Sequence, residues 1–321
     1  MNNILITGAS GMIGTALLRR AKREPWAIYA QGRTNVGEMS PGITWVKFDL
    51  CNPKNALAKL PEFDVVFHLA GQTSIYAARD NPKFDLETNA FGFLNLLIHL
   101  KQQTLRPFVV FVGTATQVGA TESLPINEKH CDHPATFYDI SKLTAELYLK
   151  QFVAEGWLEG CSLRLANVYG YSREGQSADR GILDKVFRAA IKGEGITIFG
   201  DGNYLRDYVF IDDVVSAIVL APTARERVNG NHFCIGSGQG IALKDAFCKV
   251  VDLAAEASGT RAKITHVDPP VELAAIEFRN AIIDASAYSE ATGWKPIYDL
   301  DAGLRAAFQC HLTSNPTLTR Q

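Results

Sequence analysis

The sequence predicts an α/β fold: an open, mostly parallel sheet covered by helices on both faces, followed by a smaller C-terminal α/β region. Three observations carry this reading. Short apolar runs alternate with amphipathic stretches over the first two-thirds of the chain. The runs are almost continuously apolar, as in strands buried on both faces. A glycine-rich turn joins the first run to the first amphipathic stretch.

Asn3–Thr7 reads as the first strand and Gly11–Ala21 as the helix after it. Ala27–Gln31, Thr44–Phe48 and Val65–Leu69 read as three further strands. Phe84–Gln103 carries one long helical pattern, Phe108–Val112 is a buried strand, Tyr138–Ala154 is helical and Cys161–Leu165 is a strand. Ligands of such sheets bind beyond the carboxyl ends of the strands. After Gly170 the texture changes. Glycine and polar residues fill Tyr171–Gly181, a helix spans Leu183–Lys192, and Ile196–Gly202 is a glycine-rich strand and turn. Val209–Ala221 is expected to return and pack on the first part, and Ala281–Asp284 to form a strand. The expected division is residues 1–170, with a returning segment near 209–236, and a second region over 171–321.

The 321 residues are 47% hydrophobic and 21% charged, with a net charge of −2. These values are ordinary for a globular enzyme-sized chain. Lys and Arg are not in excess and form no run, so nucleic acid is not expected as a partner. The first eight residues have neither a basic start nor a long apolar core, so a secretory signal is not expected. No apolar run approaches the roughly 18 residues of a membrane span. The six cysteines form no CxxC pair. They read as reduced thiols of a cytoplasmic protein, and no metal site is expected.

The first strand runs into Gly8, Ser10, Gly11, Met12, Ile13 and Gly14, a GxxGxxG turn opening a helix. Such a turn lets backbone approach a pyrophosphate, and the helix N-terminus offers unpaired N–H groups and a positive dipole end. The second strand ends at Gln31-Gly32-Arg33, with no acid to hold a ribose 2′-hydroxyl. Arg33 suits a 2′-phosphate, which favours NADP over NAD, or it is a solvated surface arginine. Asp49, followed by Leu50, either accepts from an adenine amino group or caps a turn.

The helix opening at Tyr138 carries Lys142 four residues on, on the same face. A nearby ammonium and a nicotinium cation both favour phenolate, so Tyr138 is expected to act as a base toward a sugar hydroxyl while hydride leaves carbon. Lys142 is expected to hold the nicotinamide ribose as well. Thr114 closes the strand Val109–Val112 and is placed to bond the substrate oxygen beside Tyr138, or to cap the following turn.

On these residues the chain resembles the extended short-chain dehydrogenase/reductase family, in its nucleotide-sugar epimerase/dehydratase branch. The resemblance rests on TGASGMIG at Thr7–Gly14, HLAG at His68–Gly71, NAFG at Asn89–Gly92 and YDISK at Tyr138–Lys142. It extends through LRLANVYG at Leu163–Gly170, RDYVFIDD at Arg206–Asp213 and TGWKP at Thr292–Pro296. It implies a Rossmann-type doubly wound sheet, with Leu69, Ala70, Gly71 and Asn89 on the cofactor side. It also implies Asn167 near the substrate phosphates and Arg206 as a clamp on the diphosphate. Ion pairing of Arg206 with Asp201 or Asp207 is the alternative. Arg279 is a further candidate phosphate contact. His68 is expected to be a packed strand histidine rather than a base. A homodimer built from the helices at Phe84–Gln103 and Tyr138–Ala154 is implied too, although Phe91, Phe93, Leu94, Leu97 and Ile98 also suit a core.

Two departures matter. Ala115-Thr116 stands where dehydratases of this branch place Asp-Glu, so elimination of water is disfavoured. Gln117-Val118-Gly119 lacks the tyrosine of the usual segment. The resulting expectation is a nucleotide-sugar 4-epimerase using NAD or NADP. The alternatives are an NADPH-dependent reductase of a 4-keto nucleotide sugar and a non-catalytic NAD(P)-sensing protein.

Overall fold

The computed structural model describes residues 2–33, 42–54, 56–171, 181–270 and 275–314. Most of the glycine- and polar-rich stretch expected at 171–181 lies outside them. In chain order the strands are β1 (Asn2–Thr7), β2 (Trp26–Gly32), β3 (Ile43–Lys47), β4 (Val65–His68), β5 (Phe108–Thr114) and β6 (Glu159–Leu165). They continue as β7 (Asn167–Tyr169), β8 (Ile196–Phe199), β9 (Leu205–Phe210), β10 (His232–Ile235), β11 (Gly240–Ala242) and β12 (Ile264–Val267). The helices are α1 (Met12–Ala21), α2 (Ile75–Asp80), α3 (Pro82–Leu86), α4 (Gly92–Leu100), α5 (Phe137–Ala154) and α6 (Ile182–Ile191). After these come α7 (Ile211–Leu220), α8 (Arg225–Val228), α9 (Leu243–Ser258), α10 (Ser286–Thr292) and α11 (Leu300–Ser314).

Seven strands form one parallel sheet in the order β10-β6-β5-β4-β1-β2-β3. This is the doubly wound Rossmann order with β10 added beyond β6. The pleat sends alternate side chains to opposite layers. Ile4, Ile6, Val65, Phe67, Val110 and Val112 pack with α1 and α7 on one face. Leu5, Val66, Val109 and Phe111 pack with Phe93 and Leu97 of α4 and Ala145 and Leu149 of α5 on the other. Burial on both faces explains why β5 reads as an unbroken apolar run. The order reverses between β1 and β4, which opens a crevice beyond their carboxyl ends. α7 packs on α1. Two small sheets lie outside the large one: β11-β9-β7 and β12-β8.

Two expected elements differ. The long helix at Phe84–Gln103 is broken into α3, a π-helical turn at Glu87–Phe91, and α4. Asn81 caps α3 and Pro82 sits in its first turn, a helix start that a reading of apolar spacing passes over. The wide turn carries Asn89, whose side-chain amide donates to Asp85 (2.9 Å) while its carbonyl accepts from Gln72 N–H (2.9 Å). Such bulges recur at functional sites. The strand expected at Ala281–Asp284 is reduced to one bridge between Ile126 and Ile283. The buried Asp207 carboxylate takes the Ile283 N–H (3.0 Å), which a ladder would otherwise use.

Candidate active site

The carboxyl end of β1 is fastened before any ligand need be considered. The Thr7 hydroxyl meets His68 Nδ1 at 3.0 Å and accepts from Leu69 N–H at 3.2 Å, joining β1 to the loop after β4. His68 packs against Phe93 (4.2 Å between ring centres) and Phe111 (5.9 Å), and burial holds its imidazole neutral, well below the usual range. It is the packed histidine the sequence led us to expect. Gln31 is buried, accepts from Gly8 N–H (3.1 Å) and donates to Phe48 O (2.6 Å). The strand end that usually offers an acid to ribose is thus occupied by a brace on the glycine turn.

Gly8 has φ +63°, and a Cβ there would lie 2.6 Å from Ala70 N. A Cβ on Gly14 would lie 2.4 Å from Gly8 O. Both positions therefore exclude a side chain where the turn, helix and β4 loop meet. α1 opens at Gly11 with no side-chain cap, so its first N–H groups are offered to the crevice. The turn residues Gly8 and Ser10–Gly14 form one wall of a cleft of about 360 Å³ that opens to solvent. Arg33, Asp49, Leu50, Leu69, Ala70, Gly71, Thr114, Tyr138 and Lys142 are also among the residues that line it. These residues fit a dinucleotide: a side-chain-free turn and an uncapped helix start open onto one cleft. Asp49 also serves its turn, accepting from Cys51 N–H at 2.9 Å.

Asn89 is not in that wall. It is buried behind Gly71, where an added Cβ would strike its side-chain oxygen at 2.7 Å, and it holds the loop at Gln72. Asn167 begins β7, flanked by the cleft residues Ala166 and Val168. Arg206 is buried and donates to the carbonyls of Leu205, Glu277 and Arg279, lying over the Tyr204 ring. It pairs with neither Asp201, which holds Asn203, nor Asp207, which holds Ser237, Gly238 and Ile283. Arg279 donates to Ile276 O (2.7 Å), and burial together with Arg206 lowers its affinity for a proton.

The catalytic candidates meet where β5 and α5 adjoin. Thr136 caps α5 through Asp139 N–H (3.1 Å), which starts the helix just before Tyr138. Thr114 ends β5, caps the short turn at Ala115–Val118 and lies within hydrogen-bonding reach of the Tyr138 hydroxyl. Lys142 donates to Val112 O (2.6 Å) and lies over the Phe111 ring; burial lowers its ammonium to about 8.

The expected acidification of Tyr138 is not a property of the protein groups alone. Burial first, then Asp139 and Asp85, push the phenol above its ordinary value. Lys142 is engaged with Val112 O and does not offset them. Desolvation disfavours phenolate, and two acids add to that effect.

A buried ionic cluster beneath this corner was not legible in the sequence. Arg164 and Glu146 are fully buried and joined by two bonds of 2.9 and 2.7 Å, while Asp132 takes the other edge of the guanidinium. Gln117, standing in the segment that lacks the usual tyrosine, donates to Glu146 (3.3 Å) and accepts from Thr114 N–H (3.3 Å). The substitution therefore links the end of β5 to the ion pair.

The model of the NAD dependent epimerase/dehydratase family matches residues 4–236. A UDP-glucose 4-epimerase of Mycolicibacterium smegmatis is 28% identical over 310 residues, 94% of this chain and 95% of the relative. A GDP-6-deoxy-D-mannose reductase of Pseudomonas aeruginosa is 28% identical over 313 residues, again 94% and 95%. The solved UDP-glucose 4-epimerase of Thermotoga maritima with UDP-glucose superimposes with a TM-score of 0.86 at 28% identity, covering 97% of this chain and 99% of that one.

Proposed function

Because the chain belongs to the NAD-dependent epimerase/dehydratase family, we propose that it is a nucleotide-sugar 4-epimerase. The observation that carries this is the meeting of Thr114, Tyr138 and Lys142 in the cleft that the glycine turn and the start of α1 also line. NAD or NADP bound there supplies a hydride acceptor and donor, along with a positive charge when oxidised. Gly8, Ser10–Gly14, Leu69, Ala70 and Gly71 hold its pyrophosphate side, Asp49 and Leu50 its adenine side, and Asn89 braces the loop. Lys142, displaced from Val112 O, holds the ribose. Tyr138 takes the sugar 4-hydroxyl proton and returns it to the same oxygen once the ring has turned its other face, so that hydride returns to the opposite face of C4, and Thr114 bonds that oxygen. The Tyr138 phenol is raised by its own surroundings, so the cationic charges added on binding are what bring it into range.

The substrate side is assigned to residues 171–321, with 209–236 serving the first unit. Arg206 and Arg279 supply buried positive charge for the diphosphate, and each gains from an anion that relieves their crowding. Asn167 stands at the edge of the same path. The apolar face formed by Phe91, Ile98, Ile140, Leu147 and Tyr148 is exposed, whereas Phe93 and Leu97 are core, which supports a homodimer through α4 and α5. No helix among the described residues is long and apolar enough to cross a membrane. Free thiols at Cys51, Cys131, Cys161, Cys234 and Cys248 support the cytoplasm as its location.

An NADPH-dependent reductase of a 4-keto nucleotide sugar is the second reading, favoured by Arg33 on the cleft wall. Product analysis after incubation with UDP-, GDP-, CDP- and dTDP-hexoses tests the first. Inversion at C4 without net cofactor consumption is expected. Stoichiometric loss of NADPH absorbance with a 4-keto sugar replaces it with the second. Binding of cofactor with no turnover of any sugar points to the sensing protein instead, against which the complete Thr-Tyr-Lys set argues.

A further inference from the structure

We propose that Asp85 is the internal counter-charge of the Tyr138–Lys142 pair and fixes the pH range over which those two side chains hold one proton between them, the state the reaction needs. This deepens the epimerase reading and rests on it. Asp85 is a positioning residue: it lies outside the cleft lining and acts through its neighbours.

The inference starts from a carboxylate with an empty oxygen. Asp85 sits in α3, whose start is set by the Asn81 cap and Pro82, and its side chain is fully buried. Oδ1 accepts from Gln72 Nε2 (2.8 Å) and Asn89 Nδ2 (2.9 Å). Oδ2 is buried with no hydrogen-bond partner among the described residues. An acceptor in that position is costly unless positive charge stands near it. Lys142 is the cation that acts on Asp85. A Cβ added to Gly71 would lie 2.7 Å from Asn89 Oδ1 and 3.9 Å from Lys142 Nζ. The ammonium and the amide that bonds Asp85 therefore meet behind one loop. α3 packs on α5, which carries Tyr138, Ser141 and Lys142.

The charged and titratable groups facing the pair come from three elements. Burial lowers the Lys142 ammonium, and Asp85 from α3, then Glu146 from α5, act against that. His68 from β4 is neutral. Burial, Asp139 and Asp85 oppose phenolate at Tyr138, and the Thr114 hydroxyl favours it. Asp85 is thus the carboxylate that both residues feel. Burial raises its own carboxyl, and the nearby Ser141 hydroxyl, Gln72, Asn89 and Lys142 oppose that.

A negative charge makes a proton harder to remove from either group. The working state carries phenolate and ammonium: the sugar 4-hydroxyl proton passes to the Tyr138 oxygen as hydride leaves C4, and goes back as hydride returns. Without Asp85 the pair gives up its first and its second proton at lower pH, whichever group releases first. The whole working range then moves in one direction. Loss of packing alone lowers the rate and leaves the range where it is.

The test is a pair of pH titrations on the enzyme saturated with NAD. Ultraviolet difference absorbance, with Tyr138→Phe subtracted, reads the Tyr138 phenolate without turnover. The pH profile of kcat/KM with UDP-glucose reads both limbs of the range. Asp85→Asn should move the phenolate midpoint and both limbs by about one pH unit toward acid, the effect of one buried charge. Asp85→Glu keeps the charge and should stay within about half a unit of wild type. Asp85→Gln is the second neutral variant, titrated in the same way should Asp85→Asn not fold. An unmoved midpoint in the neutral variants, or limbs that move in opposite directions, overturns the inference. An Asp85→Glu profile displaced as far as that of Asp85→Asn overturns it too. No turnover of UDP-glucose or any other nucleotide sugar overturns the epimerase reading instead, and the phenolate titration still decides the role of Asp85.

Discussion

Glu146 offers the sharpest quantitative test of the packing beneath the site. Burial opposes its ionisation, yet the Arg164 guanidinium and Lys150 hold its carboxyl at about 2, down from 4.5. A carboxyl with a lower affinity for protons in the folded chain than in the unfolded chain makes stability rise with pH. The contribution is complete above about pH 4.5 and is lost as pH falls toward 2. A drop of this size is worth about 3 kcal/mol at neutral pH. Glu146→Gln keeps the shape and an acceptor for Ser162, which now bonds the carboxylate at 2.8 Å, but removes the charge. Urea unfolding of wild type and variant at pH 7 should differ by about 3 kcal/mol in favour of wild type. At pH 3 the linkage term leaves a gap smaller by about 2 kcal/mol. A gap that stays constant from pH 7 to pH 3, or widens, would show that the carboxylate charge does not stabilise the fold and would refute the reasoning.

Other outcomes follow from particular contacts. Tyr138→Phe should lower turnover by about 10³-fold, within the range of a lost general acid–base, with dinucleotide affinity by calorimetry kept within about threefold. Gly14→Ala puts a Cβ 2.4 Å from Gly8 O. It should cost about 1–3 kcal/mol in thermal unfolding and weaken dinucleotide binding by more than tenfold. Arg33→Ala should raise the Kd for NADP about tenfold or more and leave that for NAD within about twofold, read by fluorescence titration. Leu147→Glu, on the exposed face of α5, should shift sedimentation from dimer to monomer; a wild type that is already monomeric removes the dimer proposal.

The large sheet was legible because its strands are buried on both faces, so Asn3–Thr7 and Phe108–Val112 announce themselves as apolar runs between turn residues. The glycine turn and the Tyr138–Lys142 spacing were legible because each depends on residues close in the chain. What escaped depends on distant residues. Arg164 meets Asp132 and Glu146 across separations no local pattern records. Gln31 looks like a missing acid until its bonds to Gly8 N–H and Phe48 O are seen. The short strand at Ala281–Asp284 has the right composition, but Asp207 claims the amide that would have extended it. The electrostatics of Tyr138 were misjudged from spacing, since Lys142 shares its helix face yet sends its ammonium to Val112 O.

The outermost strand of the large sheet, β10, comes from residues 232–235 and pairs in parallel with β6 along Ser162–Leu165. A fragment ending near residue 170 would expose the backbone of β6 as an open, apolar border ready to join other chains. Exchanging specificity between relatives by a single splice at that point would set a foreign β10 against β6. A workable chimera must carry the segment holding β10 along with its own nucleotide-side half, which means two crossovers rather than one.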